Sequence, residues 1–104
     1  MKFAVVFITA SSSRQAEKIA AILISKRLAA CVNIIKGVSS IFIWHSKQEK
    51  AGEILLVAKT KITKFNQIEK EVKKIHSYEV PEIIALPIVC GNKKYLQWIN
   101  DSVK

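Results

Sequence analysis

The chain has 104 residues, enough for one hydrophobic core and too few for two. Lys and Arg number 17 against 8 acids, a formal charge of +9, yet half of the residues are apolar and the mean hydropathy is +0.20. No apolar run reaches transmembrane length, which excludes a membrane-spanning helix, and the lysines are scattered without interleaved aromatics, which argues against a nucleic-acid surface.

Residues 2–9 form a near-continuous apolar run of β-branched and aromatic side chains, the pattern of a central strand. Its apolar core is too short for a secretory signal, so the mature chain is expected to start at or near Met1, in the cytoplasm. Ser11-Ser12-Ser13 follows, with Gln15 three residues after Ser12 in capping-box spacing. These serines read as helix caps, not nucleophiles, because no base lies near them in sequence. From Ser13 to about Ala29, Ala16, Ile19, Ala20, Leu23 and Leu28 recur near helical spacing.

Cys31 to Ile35 reads as a second strand that resumes from Val38 to Trp44, with a bulge or bend expected at Gly37. His45 to Lys50 is polar and predicts a reversal with its tip near residues 46–50; the next strand runs from Glu53 to Thr60. The resulting hairpin is long for so small a domain, and its free edges call for a partner. A domain of this size buries only roughly 60–70% of its chain surface. The apolar excess therefore points the same way, toward self-association.

Phe65, Ile68, Val72 and Ile75 place a second helix over residues 63–75. His76 to Pro81 is a connector, and Glu82 to Cys90 predicts a fourth strand in which Pro87 demands a sheet edge or a bulge. Gly91-Asn92 ends it, and residues 93–103 form a closing helix with Tyr95, Leu96, Trp98 and Ile99. The order βαββαβ plus a helix implies an α+β ferredoxin-like sandwich, a single domain over residues 1–104.

The sequence offers no catalytic constellation. The three glycines are isolated, which excludes a phosphate loop, and the strand from Glu53 to Thr60 has no stacking aromatics for RNA. Cys31, Cys90, His45 and His76 are the soft-metal candidates, but they are too dispersed for a structural zinc site. Both cysteines lie in apolar runs and read first as small packing residues. His45 reads as solvated and His76 as a cation at a helix C-terminus.

Three segments together carry a family resemblance. They are Lys26-Arg27-Leu28-Ala29-Ala30-Cys31-Val32-Asn33-Ile34, Trp44 followed by Glu53-Ile54-Leu55-Leu56-Val57-Ala58-Lys59-Thr60, and His76-Ser77-Tyr78-Glu79-Val80-Pro81-Glu82-Ile83-Ile84. In order and spacing the chain resembles the CutA family of divalent-cation tolerance proteins, with Ser77 standing where that family usually has proline. The resemblance implies a homotrimer whose hairpins pair across subunits, with Phe42 and Trp44 as candidate anchors of that contact. It also implies contact with copper or another divalent metal ion at Cys31 and His76, no required cofactor, and an inter-subunit cleft lined by Trp44, Lys59, Tyr78 and Glu82. A likeness to the PII signalling proteins keeps open the alternative of a small-molecule or nucleotide sensor.

Overall fold

The computed structural model describes residues 2–104; Met1, the expected start of the mature chain, lies outside them. Four antiparallel strands, β1 (Phe3–Ala10), β2 (Cys31–Trp44), β3 (Lys47–Lys61) and β4 (Ile83–Pro87), lie in the order β2-β3-β1-β4. Helices α1 (Ser13–Ser25) and α2 (Phe65–Ile75) make the two crossovers, and α3 (Lys93–Ser102) closes the chain. This is the ferredoxin-like sandwich that the element order implies.

The core lies between the sheet and the two crossover helices. Val6 and Ile8 of β1 and Leu56 and Ala58 of β3 meet Ile19 and Leu23 of α1 and Ile68 and Val72 of α2, all buried. The alternation along β1 puts Val6 and Ile8 inward, while Val5 and Phe7 on the opposite face are only partly covered. Thr60 is fully buried among these side chains and satisfies its hydroxyl by donating to the Leu28 carbonyl at 2.6 Å.

Both ends of α1 have local causes. Ser12 Oγ accepts from the Gln15 N–H at 3.2 Å, as its spacing predicts, while Gln15 Oε1 accepts from the N–H of Ser11, one residue earlier than a standard box. The helix stops at Ser25, four residues short of the expected end near Ala29. There Arg27 takes φ 58°, its N–H donates to Ile24 O, and the Leu28 N–H donates to Leu23 O at 2.9 Å. This is a Schellman close without glycine, and it turns Leu28 inward beside Leu23. Burial of Leu28 outweighs continued helical periodicity.

The bulge expected at Gly37 is present as a register shift between Ile35 and Val38, with Gly37 at φ 78°. The hairpin tip differs from expectation. Trp44 pairs with Lys47, so the turn is His45-Ser46 and residues 47–50 are strand. Polar side chains on a solvated two-stranded arm do not oppose a backbone ladder, so polarity misplaced the turn. Both turn residues have positive φ, 50° and 63°, the geometry of a two-residue I′ hairpin that Asn-Gly favours. The double variant His45→Asn, Ser46→Gly is expected to raise stability by about 1–2 kcal/mol in urea unfolding; an unchanged midpoint would refute the strain.

Pro87 ends β4 at the sheet edge, as its missing N–H requires. The strand is shorter than expected, and Cys90 lies outside it and exposed, so the reading of Cys90 as a buried packing residue is corrected. Asn92 caps α3 by accepting from the Tyr95 N–H at 3.0 Å.

Candidate functional site

β1 pairs with β3 only from Lys61 back to Ile54. Beyond that point, from Val38–Glu53 to the tip, β2 and β3 continue as an arm with no third strand among the described residues. The step where β1 ends creates a concave corner, and the connector after α2 covers one side of it.

His76 fastens that connector. Its Nε2 faces the Thr9 carbonyl at 2.6 Å and must donate, while its Nδ1 accepts from the Tyr78 N–H at 3.0 Å. Both ring nitrogens of a neutral imidazole are thereby occupied. The imidazole and the Tyr78 ring lie 4.8 Å apart, which sets Tyr78 over the corner.

The corner is a cleft of about 420 Å³. Phe42 and Trp44 of β2 form one wall, Tyr78 and Val80 of the connector another, and Thr9 of β1 and Glu53 of β3 lie where β1 ends, with Glu82 also lining it. Glu53 is only 8% exposed and forms no salt bridge among the described residues. A neighbouring hollow of about 410 Å³ shares Phe42, Trp44 and Tyr78 and adds Glu49 and Glu79. Among the described residues, no Lys or Arg lines either space. Four of the chain's 8 acids thus collect here on a protein of formal charge +9.

Burial, and then the neighbouring Glu53 carboxylate, push the Tyr78 pKa above its ordinary 10.0. Tyr95 is raised as well, by burial and then by Cys31. A raised phenol pKa means that the folded chain holds the proton more tightly, so stability falls as pH rises through 10 toward the raised values. Phenolate absorbance is expected to show both tyrosines ionising above 10, and Glu53→Gln to move Tyr78 part of the way back. A Tyr78 titration indifferent to that variant would refute the pairing.

The structure brings together three of the expected cleft residues, Trp44, Tyr78 and Glu82. Lys59 is elsewhere: it pairs with Cys31 on β2 and with Val5 on β1. Val5 is four residues from Thr9, about 13 Å along the strand, so Cys31 and His76 do not meet within one chain. Among the described residues no three His, Cys, Asp or Glu side chains are grouped to hold a metal ion. Glu53 escaped notice in the sequence because it opens an apolar strand and reads there as a solvated end. Phe42 and Trp44, 40% exposed each, line their own chain's cleft, as does the more open Ile41 at 65%, whereas Ile43, at 70%, does not.

A ferredoxin-like domain with a protruding two-stranded arm and an acid-lined cleft at its root is the class of protein that this geometry defines. A family model described as CutA1 divalent ion tolerance protein matches residues 4–102, and the chain belongs to that family. The divalent-cation tolerance protein CutA of Archaeoglobus fulgidus is 46% identical over 99 residues, covering 95% of this chain and 96% of that one. The chloroplastic CutA 1 of Oryza sativa is 41% identical over 96% of this chain, which spans only 56% of that protein's length. The solved Cut A1 structure from Thermus thermophilus superposes with a TM-score of 0.96 at 43% identity, over 98% of this chain and 99% of that chain. The Archaeoglobus structure is described as a periplasmic protein. In this chain, no helix among the described residues is long and apolar enough to cross a membrane.

Proposed function

We propose that this chain works as a homotrimer in the cytoplasm, without catalytic chemistry, and that the ions it meets are divalent cations, copper foremost. The observation that carries the reading is the arm. From Val38–Glu53 outward it is a two-stranded ribbon with open edges, and it presents Ile41 and Ile43 to solvent. Such edges and side chains are stabilised when neighbouring copies cover them.

Copper suits thiolate and imidazole ligands. Cys31 is a half-buried free thiol, and His76 can ligate through Nδ1 only by releasing the Tyr78 N–H. Because the described residues of one chain group no three ligands, a metal is held between subunits, and its uptake loosens the connector. Titration calorimetry with copper is expected to give saturable heat with the wild type and at least tenfold weaker binding with Cys31→Ser. Equal heats from both proteins would remove Cys31 from the site; no heat from either would leave the trimer as a scaffold alone.

A further inference from the structure

We infer that Ser77 and Ser11 are positioning residues: their hydroxyls form a second tether on the connector, which fixes its root and lets it open only from Tyr78 onward. The inference concerns how the connector moves and is independent of any bound ion.

The direction of the tether follows from counting protons. The Ser11 N–H faces the Gln15 side-chain amide at 3.1 Å, and a backbone N–H can only donate, so the atom it meets is Oε1. The same oxygen lies 3.3 Å from Ser11 Oγ and has no proton to offer, so Ser11 Oγ donates to it. That uses the single proton of the Ser11 hydroxyl. Toward Ser77 Oγ, 3.1 Å away, Ser11 can therefore only accept, and Ser77 donates. A directed chain results, from Ser77 through Ser11 to Gln15 in the first turn of α1. The shift of Gln15 from Ser12 to Ser11, relative to a standard capping box, is what commits the Ser11 proton and leaves its lone pairs for the connector.

This tether sits beside the first one. His76 donates to the Thr9 carbonyl at 2.6 Å, and Ser77, its neighbour, donates to Ser11, two residues beyond Thr9. Two consecutive residues of the connector are thus fixed on the link between β1 and α1. Past them the ties stop. The Tyr78 N–H bonds back to His76 within the connector, and among the described residues no backbone group of residues 79–82 bonds to another element. Glu79, Val80 and Glu82 are exposed, and pairing resumes only at Ile83, opposite Ile8. A segment fixed at both ends and unbonded between them opens locally about those ends. The hinge therefore falls between Ser77 and Tyr78, and removing the hydroxyl pair moves it back to His76 alone.

The test is amide hydrogen exchange read by NMR on the full chain at one fixed pH, with no metal added. It follows the Tyr78 N–H against that of Ile8 in the buried core. Ser77→Ala and Ser11→Ala are each expected to speed Tyr78 exchange about threefold to tenfold, the size of one lost hydrogen bond, and to leave Ile8 unchanged. The double variant is expected to go no further than either single one, because both remove the same bond. Tyr78 exchange unchanged in Ser77→Ala, single effects that multiply in the double variant, or a rise shared equally by Ile8 each overturns the proposal.

Discussion

Sedimentation equilibrium at micromolar protomer concentration is expected to return three times the 11.7 kDa chain mass, and Ile41→Asp with Ile43→Asp to return the single-chain mass. The two isoleucines are 65% and 70% exposed in one chain, so the substitutions remove nothing from its own core. In a trimer each becomes a buried side chain, contributing about 1.5–3 kcal/mol. Losing both costs roughly 3–6 kcal/mol at each seam, and at about 1.4 kcal/mol per tenfold that is two to four orders of magnitude in affinity. The carboxylates add a desolvation cost in the same direction. Far-ultraviolet circular dichroism should stay close to wild type, since the arm's ladder is backbone and the core is untouched. A wild type that sediments as a single chain would end the trimer reading; a double variant that stays trimeric would move the seam off these residues.

The second large effect is expected at His76, whose imidazole fastens the connector in the metal-free chain. His76→Ala strands the Thr9 carbonyl, in a residue only 6% exposed, and the N–H of Tyr78. Each unsatisfied group costs about 1–3 kcal/mol when shielded from water. Because the connector is partly solvated, a total of about 2–4 kcal/mol is expected in urea unfolding at fixed protomer concentration. The same variant unfastens Tyr78, so its phenol is expected to titrate closer to 10 than in the wild type. A loss under about 1 kcal/mol with an unmoved Tyr78 would show that the connector holds its place without the imidazole. The two readouts separate a positioning role from simple loss of packing, which would lower stability and leave the phenol where it was.

Several features of this fold were legible because they are local. Ser12 and Gln15 announce a helix start since cap and helix are neighbours in sequence. Gly37 marks its bulge through the backbone freedom that glycine has at φ 78°. Pro87 declares an edge because it has no N–H to give a neighbour. Strand and helix periods did the rest, and together they determined the element order and the ferredoxin-like class.

What failed to show in the chain's own order are the places where a distant partner decides. Helix α1 ends at Ser25, with Arg27 left-handed beyond it, because Leu28 is drawn into the core, against both periodicity and the left-handed cost. The turn falls at His45-Ser46 because pairing between β2 and β3 counts residues, whatever their polarity. Cys90 is exposed because β4 stops at Pro87.

The candidate site divides in the same way. Trp44, Tyr78 and Glu82 could be named as cleft residues from sequence, whereas Glu53, although it opens one of the same family segments, could not. Its burial exists only because β1 stops one pair short of it while the His76 connector folds over the gap. Sequence by itself determined the elements, their order and the excess of apolar surface, all set by neighbours within a few residues or by composition. The gathering of four carboxylates around three aromatic rings was decided by tertiary structure alone, because it depends on where one strand ends in relation to a connector far away in the chain.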